Sequence, residues 1–281
     1  MLFLLLHLVM LLAAVVLTLL AGAELASLPA HGWARGDDAL AGACTLPRRH
    51  AASLLQADFD ELYRDTEPVV LTLSHDNDAL RAACARGSLL DKYGDLEVVL
   101  SSANTYSYVK QRLALRSYIE QHMAPPHATR SGRDTLYWFG DHNYSALAPL
   151  LELYQQPPLV PTSASVALSF GVAGTGSGVP FHVHGPGWSE ALVGRKRWLL
   201  YPPNRKPPFD PDETSLLWMR RWLRGDAGIA AHGAPMECTL QPGEAIYFPS
   251  AWWHATLNVD EAVFISSFVN YAPPSDELRR H

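Results

Sequence analysis

His182 and His184 stand two apart in the stretch FHVHGPGWSEALVGRKRWLLYPP, residues 181–203, and a third histidine, His254, closes the downstream segment FPSAWWH. On an extended strand, residues i and i+2 leave the same face, so the first two imidazoles point the same way. Two same-face imidazoles and one distant imidazole form a three-point clamp for a metal ion. An HxH pair alone is more often a coincidence of surface or core than a ligand pair. Convergence of the three rings in the fold separates the two readings.

The surroundings of these histidines carry further pattern. Gly194-Arg195-Lys196-Arg197-Trp198-Leu199-Leu200-Tyr201-Pro202 reads as a strand ending at prolines, and Pro242-Gly243-Glu244 as a turn feeding Ala245 to Pro249. With Trp252-Trp253-His254, these segments resemble the JmjC (jumonji) family of iron- and 2-oxoglutarate-dependent oxygenases. That family has HxD or HxE, then GxKRW-like residues, PGE, a short strand and WWH. Pro68 to Leu71 and Leu89 to Val98 resemble its N-terminal strands, so the likeness runs from about residue 58 to 272. The resemblance implies a mainly β fold with flanking helices, a double-stranded β-helix or cupin jelly roll. It also implies Fe(II) on His182, His184 and His254, with 2-oxoglutarate held by Lys196 and by the hydroxyl of Ser266. It assigns no catalytic acid or base here.

The sequence departs from the family where the chemistry sits. His184 fills the acidic ligand position, so three neutral ligands would leave the site one charge more positive than two imidazoles and a carboxylate. Glu190 is too far along the chain to be taken as the missing carboxylate. Val179 replaces a threonine, Ser189 a common asparagine and Phe268 another. Each lost hydrogen bond to a buried oxyanion costs about 1.5–3 kcal/mol, so several losses weaken cosubstrate binding by orders of magnitude. Strand alternation puts Lys196 with Trp198 and Leu200, a face on which a buried ammonium needs an anion; the alternative turns Arg195 and Arg197 inward. Two function classes follow: a lumenal Fe(II)/2-oxoglutarate-dependent protein hydroxylase, or a regulatory protein-binding jelly roll with part of the chemistry lost. Changes in the metal shell and the cosubstrate pocket together weigh toward the second.

The address is written at the N-terminus. Leu2 to Leu20 is nearly all apolar, and Ala21-Gly22-Ala23 fits a small-x-small cleavage pattern. An uncleaved anchor is the alternative, since about eighteen apolar residues can span a bilayer. The expected organisation is a signal peptide over 1–23, a loose leader over 24–57, the jelly-roll domain with N-terminal helices over 58–272, and a tail over 273–281. The mature chain is expected to be soluble in the lumen of the secretory pathway, with retention in the endoplasmic reticulum implied by resemblance only. Asn143-Tyr144-Ser145 is a glycosylation sequon, and Cys44, Cys84 and Cys238 allow one bridge with one thiol over, or buried free thiols. A net charge of −6 argues against nucleic-acid binding through phosphates. Protein partners are expected, and a homo-oligomer by resemblance.

Along the chain, pattern predicts helices over 58–63, 79–90, 113–122, 146–154 and 215–224. It predicts strands over 68–73, 96–101, 136–139, 166–172, 179–184, 190–193, 197–201, 245–248 and 263–269. The helix over 215–224 carries Trp218 and Trp222 on one face among Arg220, Arg221 and Arg224, as a docked helix or as a contact surface.

Overall fold

The computed structural model describes residues 30–72, 76–123, 130–140 and 143–271. The apolar run over 2–20, its cleavage pattern and the tail from 273 lie outside the described residues. Twelve strands are described: β1 Arg48–His50, β2 Val69–Thr72, β3 Glu97–Ser102, β4 Lys110–Ala114, β5 Leu136–Phe139 and β6 Ser165–Ala173, then β7 Gly187–Val193, β8 Lys196–Tyr201, β9 Met236–Leu240, β10 Ala245–Phe248, β11 Trp253–Asn258 and β12 Ala262–Asn270. They form a nine-stranded sheet in the order β1-β2-β10-β7-β12-β6-β5-β3-β4 and a three-stranded sheet β11-β8-β9. Only β1 and β2 pair in parallel among the described strands. This is the mainly β jelly roll expected from the pattern of short runs and turns.

The chain crosses between the sheets in tight steps. Gly194 joins β7 to Arg195 at a φ of 71°, and a Cβ there would lie 2.3 Å from the Glu261 carbonyl oxygen. Only glycine fits both the angle and the space. Arg195 then donates to both carboxylate oxygens of Asp260 at 2.7 and 2.8 Å. Asp260 sits in the turn between β11 and β12, so one bidentate ion pair ties the two crossings together.

β7 and β8 are buried along their whole length because both faces are covered. Outside the large sheet, Phe59 of the helix Gln56–Leu62 stacks on Trp188 at 5.5 Å and meets Tyr247 edge-on at 4.9 Å. Burying each such aromatic contributes roughly 2–3 kcal/mol. Between the sheets, Val70, Trp198, Leu200, Ile246 and Phe248 fill the interior.

Several elements differ from the sequence pattern. The helix expected over 79–90 is two helices, Asp78–Ala83 and Arg86–Tyr93. At the break, Trp33 Nε1 donates to the Cys84 carbonyl and Arg86 N donates to the His31 carbonyl. The segment read as a loose leader is therefore packed from Trp33 onward. A Cys44–Cys238 disulfide fastens it, Cys84 remains a buried free thiol, and Trp33, Leu40 and Leu46 are buried. Its Ala, Gly and Pro content hides this because its partners are distant in sequence. The start of the helix expected over 113–122 is the end of β4, whose Leu113 pairs with Val98; helical turns begin only at Leu115. The segment 179–184 is not a strand, since Pro180 and Pro186 leave it one bridge, His182 to His254. β9 and β11 were not anticipated.

The helix Ser215–Leu223 is docked through Trp218, with Trp222 half-buried beside it. Trp218 is 2% exposed, packs edge-on against Phe181 at 4.8 Å, and stacks with Trp222.

Candidate metal centre and its cavity

The histidines come from two segments held antiparallel across the open end of the sheets. His182 and His254 exchange backbone hydrogen bonds at 3.1 and 3.0 Å, and Ala251 N donates to the His184 carbonyl at 3.0 Å. His254 is the second residue of β11; Ala251, in a left-handed turn with φ of 62°, leads into it. One ligand nitrogen from each of His182, His184 and His254 lies within 4.8 Å of the others. The rings converge.

Their protonation follows from their neighbours. Each Nδ1 lies 2.8 Å from a backbone carbonyl: Pro180 for His182, Gly185 for His184 and Trp252 for His254. A carbonyl can only accept, so each Nδ1 carries the proton and each Nε2 keeps a lone pair. His254 Nε2 and His184 Nε2 nevertheless face each other at 3.1 Å. Two facing lone pairs repel unless a cation lies between them. Two nitrogens each about 2.1 Å from a shared ion lie roughly 3.0–3.4 Å apart for angles between about 90° and 109°. The donor set therefore fits a metal ion, with backbone carbonyls orienting the imidazoles.

Burial pulls all three imidazoles toward neutrality. Desolvation first, then the His184 charge, lowers the His182 pKa to about 4, against a smaller raising effect of the Pro180 carbonyl. Desolvation also lowers His184 and lowers His254 strongly. A folded pKa below the unfolded value near 6.5 means that the unfolded chain binds more protons between those limits. Metal-free protein should thus hold its stability above pH 6.5 and lose roughly 2–3 kcal/mol through His182 as pH falls toward 4. Urea midpoints in chelator at pH 7.5, 5.5 and 4.5 test this; a flat profile contradicts it.

The three histidines and the two sheets line a partly open cavity of about 30 Å³. Ser189, Phe264, Ser266 and Phe268 line it from the large sheet, and Lys196, Trp198 and Thr256 from the small one. Lys196 is 3% exposed; its Nζ donates to Asn258 Oδ1 at 3.0 Å and lies 3.6 Å from the Phe264 ring centre. Burial lowers its pKa to about 7. The groups present are a poor match to 2-oxoglutarate: Lys196 gives one N–H to Asn258, the Phe264 ring lies 3.6 Å from its Nζ, and apolar Val179 and Phe268 line the cavity where the family has a hydroxyl and an amide.

A cupin-like domain model matches residues 187–276. JmjC domain-containing protein 8 of Rattus norvegicus is 49% identical over 226 residues, covering 80% of this chain and 82% of that protein; the Homo sapiens protein of the same name is 48% identical over 226 residues, covering 80% and 84%. The chain belongs to the JmjC-domain family. A more distant member, the Homo sapiens 2-oxoglutarate and iron-dependent oxygenase JMJD4, is 26% identical over 203 residues, covering 63% of this chain and 48% of that protein.

Against the JmjC pattern, the residues singled out in the sequence fall as follows. His182, His184 and His254 come together, and Lys196 and Ser266 line the adjoining cavity with the substituted positions Val179, Ser189 and Phe268. Arg197 faces the other way, paired with Glu237. Glu190 points out of the cavity to Asn77 and Arg81, so it is no substitute ligand, and no carboxylate lines the cavity among the described residues. Missed were Asn258, Thr256 and the wall of Phe139, Phe248 and Phe264. Alternation along β11 puts His254, Thr256 and Asn258 on one face and would have found two of them.

Proposed function

We propose that this JmjC chain is a regulatory, protein-binding partner in the lumen of the endoplasmic reticulum. In this reading it keeps a three-histidine metal centre and has lost a working 2-oxoglutarate site. The observation that carries the reading is Lys196, which is held by Asn258 and packed against the Phe264 ring in a cavity lined by Val179 and Phe268. When bound, a metal would supply Lewis acidity at the three imidazoles, without the carboxylate that offsets charge in a two-histidine, one-carboxylate site. Protein partners, a second copy of the chain among them, are the expected ligands, and the net charge of −6 disfavours nucleic acid. With Fe(II) and 2-oxoglutarate supplied, we expect no succinate above a His182→Ala control; robust succinate formation would overturn the reading. Convergent imidazoles at metal-ligand spacing and likeness to an iron-dependent oxygenase favour the second reading, a protein hydroxylase.

A lumenal address is supported by two features. The Cys44–Cys238 bridge suits an oxidising compartment. Asn143 is exposed at a helix N-cap, where its Oδ1 accepts from Ala146 N at 3.2 Å and its amide nitrogen remains for the sugar. Endoglycosidase should shift the cell-expressed chain, and Asn143→Gln should abolish the shift; an unshifted wild type argues against glycosylation.

A further inference from the structure

The two sheets end on β1, β4, β9 and β11, and all but β4 are short or covered. β1 has only three residues. Beside β9, Thr45 N of the strap donates to the Glu237 carbonyl; along β11, Thr256 N donates to the Val179 carbonyl and Asn258 N to the Ser177 carbonyl. Among the described residues no strand pairs with the outer edge of β4.

The ladder shows what that edge presents. Ser102 N donates to the Val109 carbonyl and Leu115 N to the Leu96 carbonyl, both at 2.9 Å. With Val98 opposite Leu113 and Val99 opposite Arg112, these bonds fix the alternation of an antiparallel pair. Gln111 and Leu113 bond inward to β3, so Arg112 turns its N–H and C=O to the open edge, and Ala114 its N–H. Lys110, Gln111 and Arg112 are exposed and line an open groove with Val99. Just before the strand, Tyr106, Tyr108 and Val109 are exposed too, the two rings stacked at 5.6 Å. Their loop is fixed: Thr105 N donates to the Pro211 carbonyl at 3.0 Å, and the Tyr108 hydroxyl to Asp212 Oδ1 at 3.2 Å. Lysine on an edge commonly guards it against pairing. The Tyr106–Val109 patch works against that role, since it adds apolar area where a visiting strand would lie.

The charges select the visitor. Antiparallel self-pairing centred on Gln111 would set Lys110 against Arg112, and centring on Lys110 or Arg112 would set that residue against its own copy. Like charges directly opposite destabilise a sheet, so a second copy is a poor occupant. Arg112 already donates to Glu97 at 3.0 Å, but both side chains are strongly exposed, and such pairs are weak enough to exchange. We propose that β4 receives an extended acidic segment of a partner protein as a further strand of the large sheet. Its backbone would bond to Arg112 and the Ala114 N–H, its carboxylates would lie beside Lys110 and Arg112, and its apolar residues would lie on Tyr106 and Tyr108. The inference rests on the protein-binding reading and names a surface for it; it uses nothing of the histidine centre.

The test titrates the full chain into a fluorescein-labelled, acetylated peptide of alternating glutamate and valine that ends in leucine, with anisotropy as the readout. Saturable binding is expected, and none for the same peptide methylated on its backbone nitrogens or carrying lysine in place of glutamate. Lys110→Glu/Arg112→Glu should weaken the glutamate peptide about tenfold and admit the lysine peptide. Arg112→Pro, which removes an outward N–H and leaves the β3 ladder intact, should bind more weakly than Arg112→Gln, which loses only the charge. Unfolding temperature and metal content should stay at wild-type values in the charge-reversed variant. Equal binding of the methylated or the lysine peptide would overturn the inference. So would a wild-type dimer in light scattering that Arg112→Pro dissociates, since a second copy would then hold the edge. No binding of the glutamate peptide overturns the inference alone, because succinate formation tests the protein-binding reading separately.

Discussion

Lys196→Met should raise the stability of the protein at pH 7. The lysine is 3% exposed, and burial lowers its pKa from 10.5 to about 7. That shift corresponds to roughly 5 kcal/mol against holding the charged form inside. The Asn258 hydrogen bond and the Phe264 ring offset part of the cost, and methionine forfeits both while filling similar space. The expected net gain is about 2 kcal/mol, or several degrees in Tm for a chain of this size. The folded pKa lies below the unfolded one, so the unfolded chain binds more protons between pH 7 and 10.5 and wild-type stability rises with pH over that window. The advantage of methionine should therefore be largest at and below pH 7 and shrink toward pH 10.5. A destabilised variant, or an advantage independent of pH, contradicts the account of Lys196.

Removing the disulfide should have the opposite sign and a larger size. Cys44 and Cys238 are 194 residues apart, so the bridge closes a long loop in the unfolded chain. Loop-closure entropy sets its contribution at roughly 3–5 kcal/mol. In the folded chain it fastens the strap that runs from Trp33 to Leu46. Thr45 N donates to the Glu237 carbonyl at 2.7 Å, Gly42 N to Thr239 Oγ1 at 2.9 Å, and Arg197 Nη1 to the Leu40 carbonyl at 3.0 Å. Cys238 pairs with Trp198 in the β8–β9 register, so a loosened strap reaches the wall of the cavity. Cys44→Ala/Cys238→Ala should lower the urea midpoint by an amount equivalent to that range, and reductant should bring wild type down to it. An unchanged midpoint would show that the strap is held by its hydrogen bonds alone.

The sequence made the metal centre more legible than the walls around it. HxH on extended backbone and a histidine behind two tryptophans are local signals, and their convergence needed only the sheets to pair as the resemblance implied. Lys196 was placed inward by alternation along β8, which holds because Arg197 finds Glu237 and the Leu40 carbonyl on the opposite face. What covers Lys196 was not readable. Phe264 approaches it from β12, in the other sheet, and only the packing of the sheets brings the two together. The same reason hid the strap: Trp33 makes its hydrogen bond to Cys84, and the local texture around it carries no period. β11 was missed because Trp252-Trp253-His254 read as a motif rather than as the start of a strand. The segment 179–184 was over-read as a strand because alternation there is real, while Pro180 denies it a ladder.

The most direct measurement is the metal content of the purified chain after anaerobic reconstitution with a divalent ion, taken on wild type and on His182→Ala, His184→Ala and His254→Ala. Three Nε2 lone pairs fixed by backbone carbonyls, two of them 3.1 Å apart, predict about one ion per wild-type chain and at least a tenfold loss in each variant. Wild type that retains no more metal than the variants would contradict the three-histidine centre.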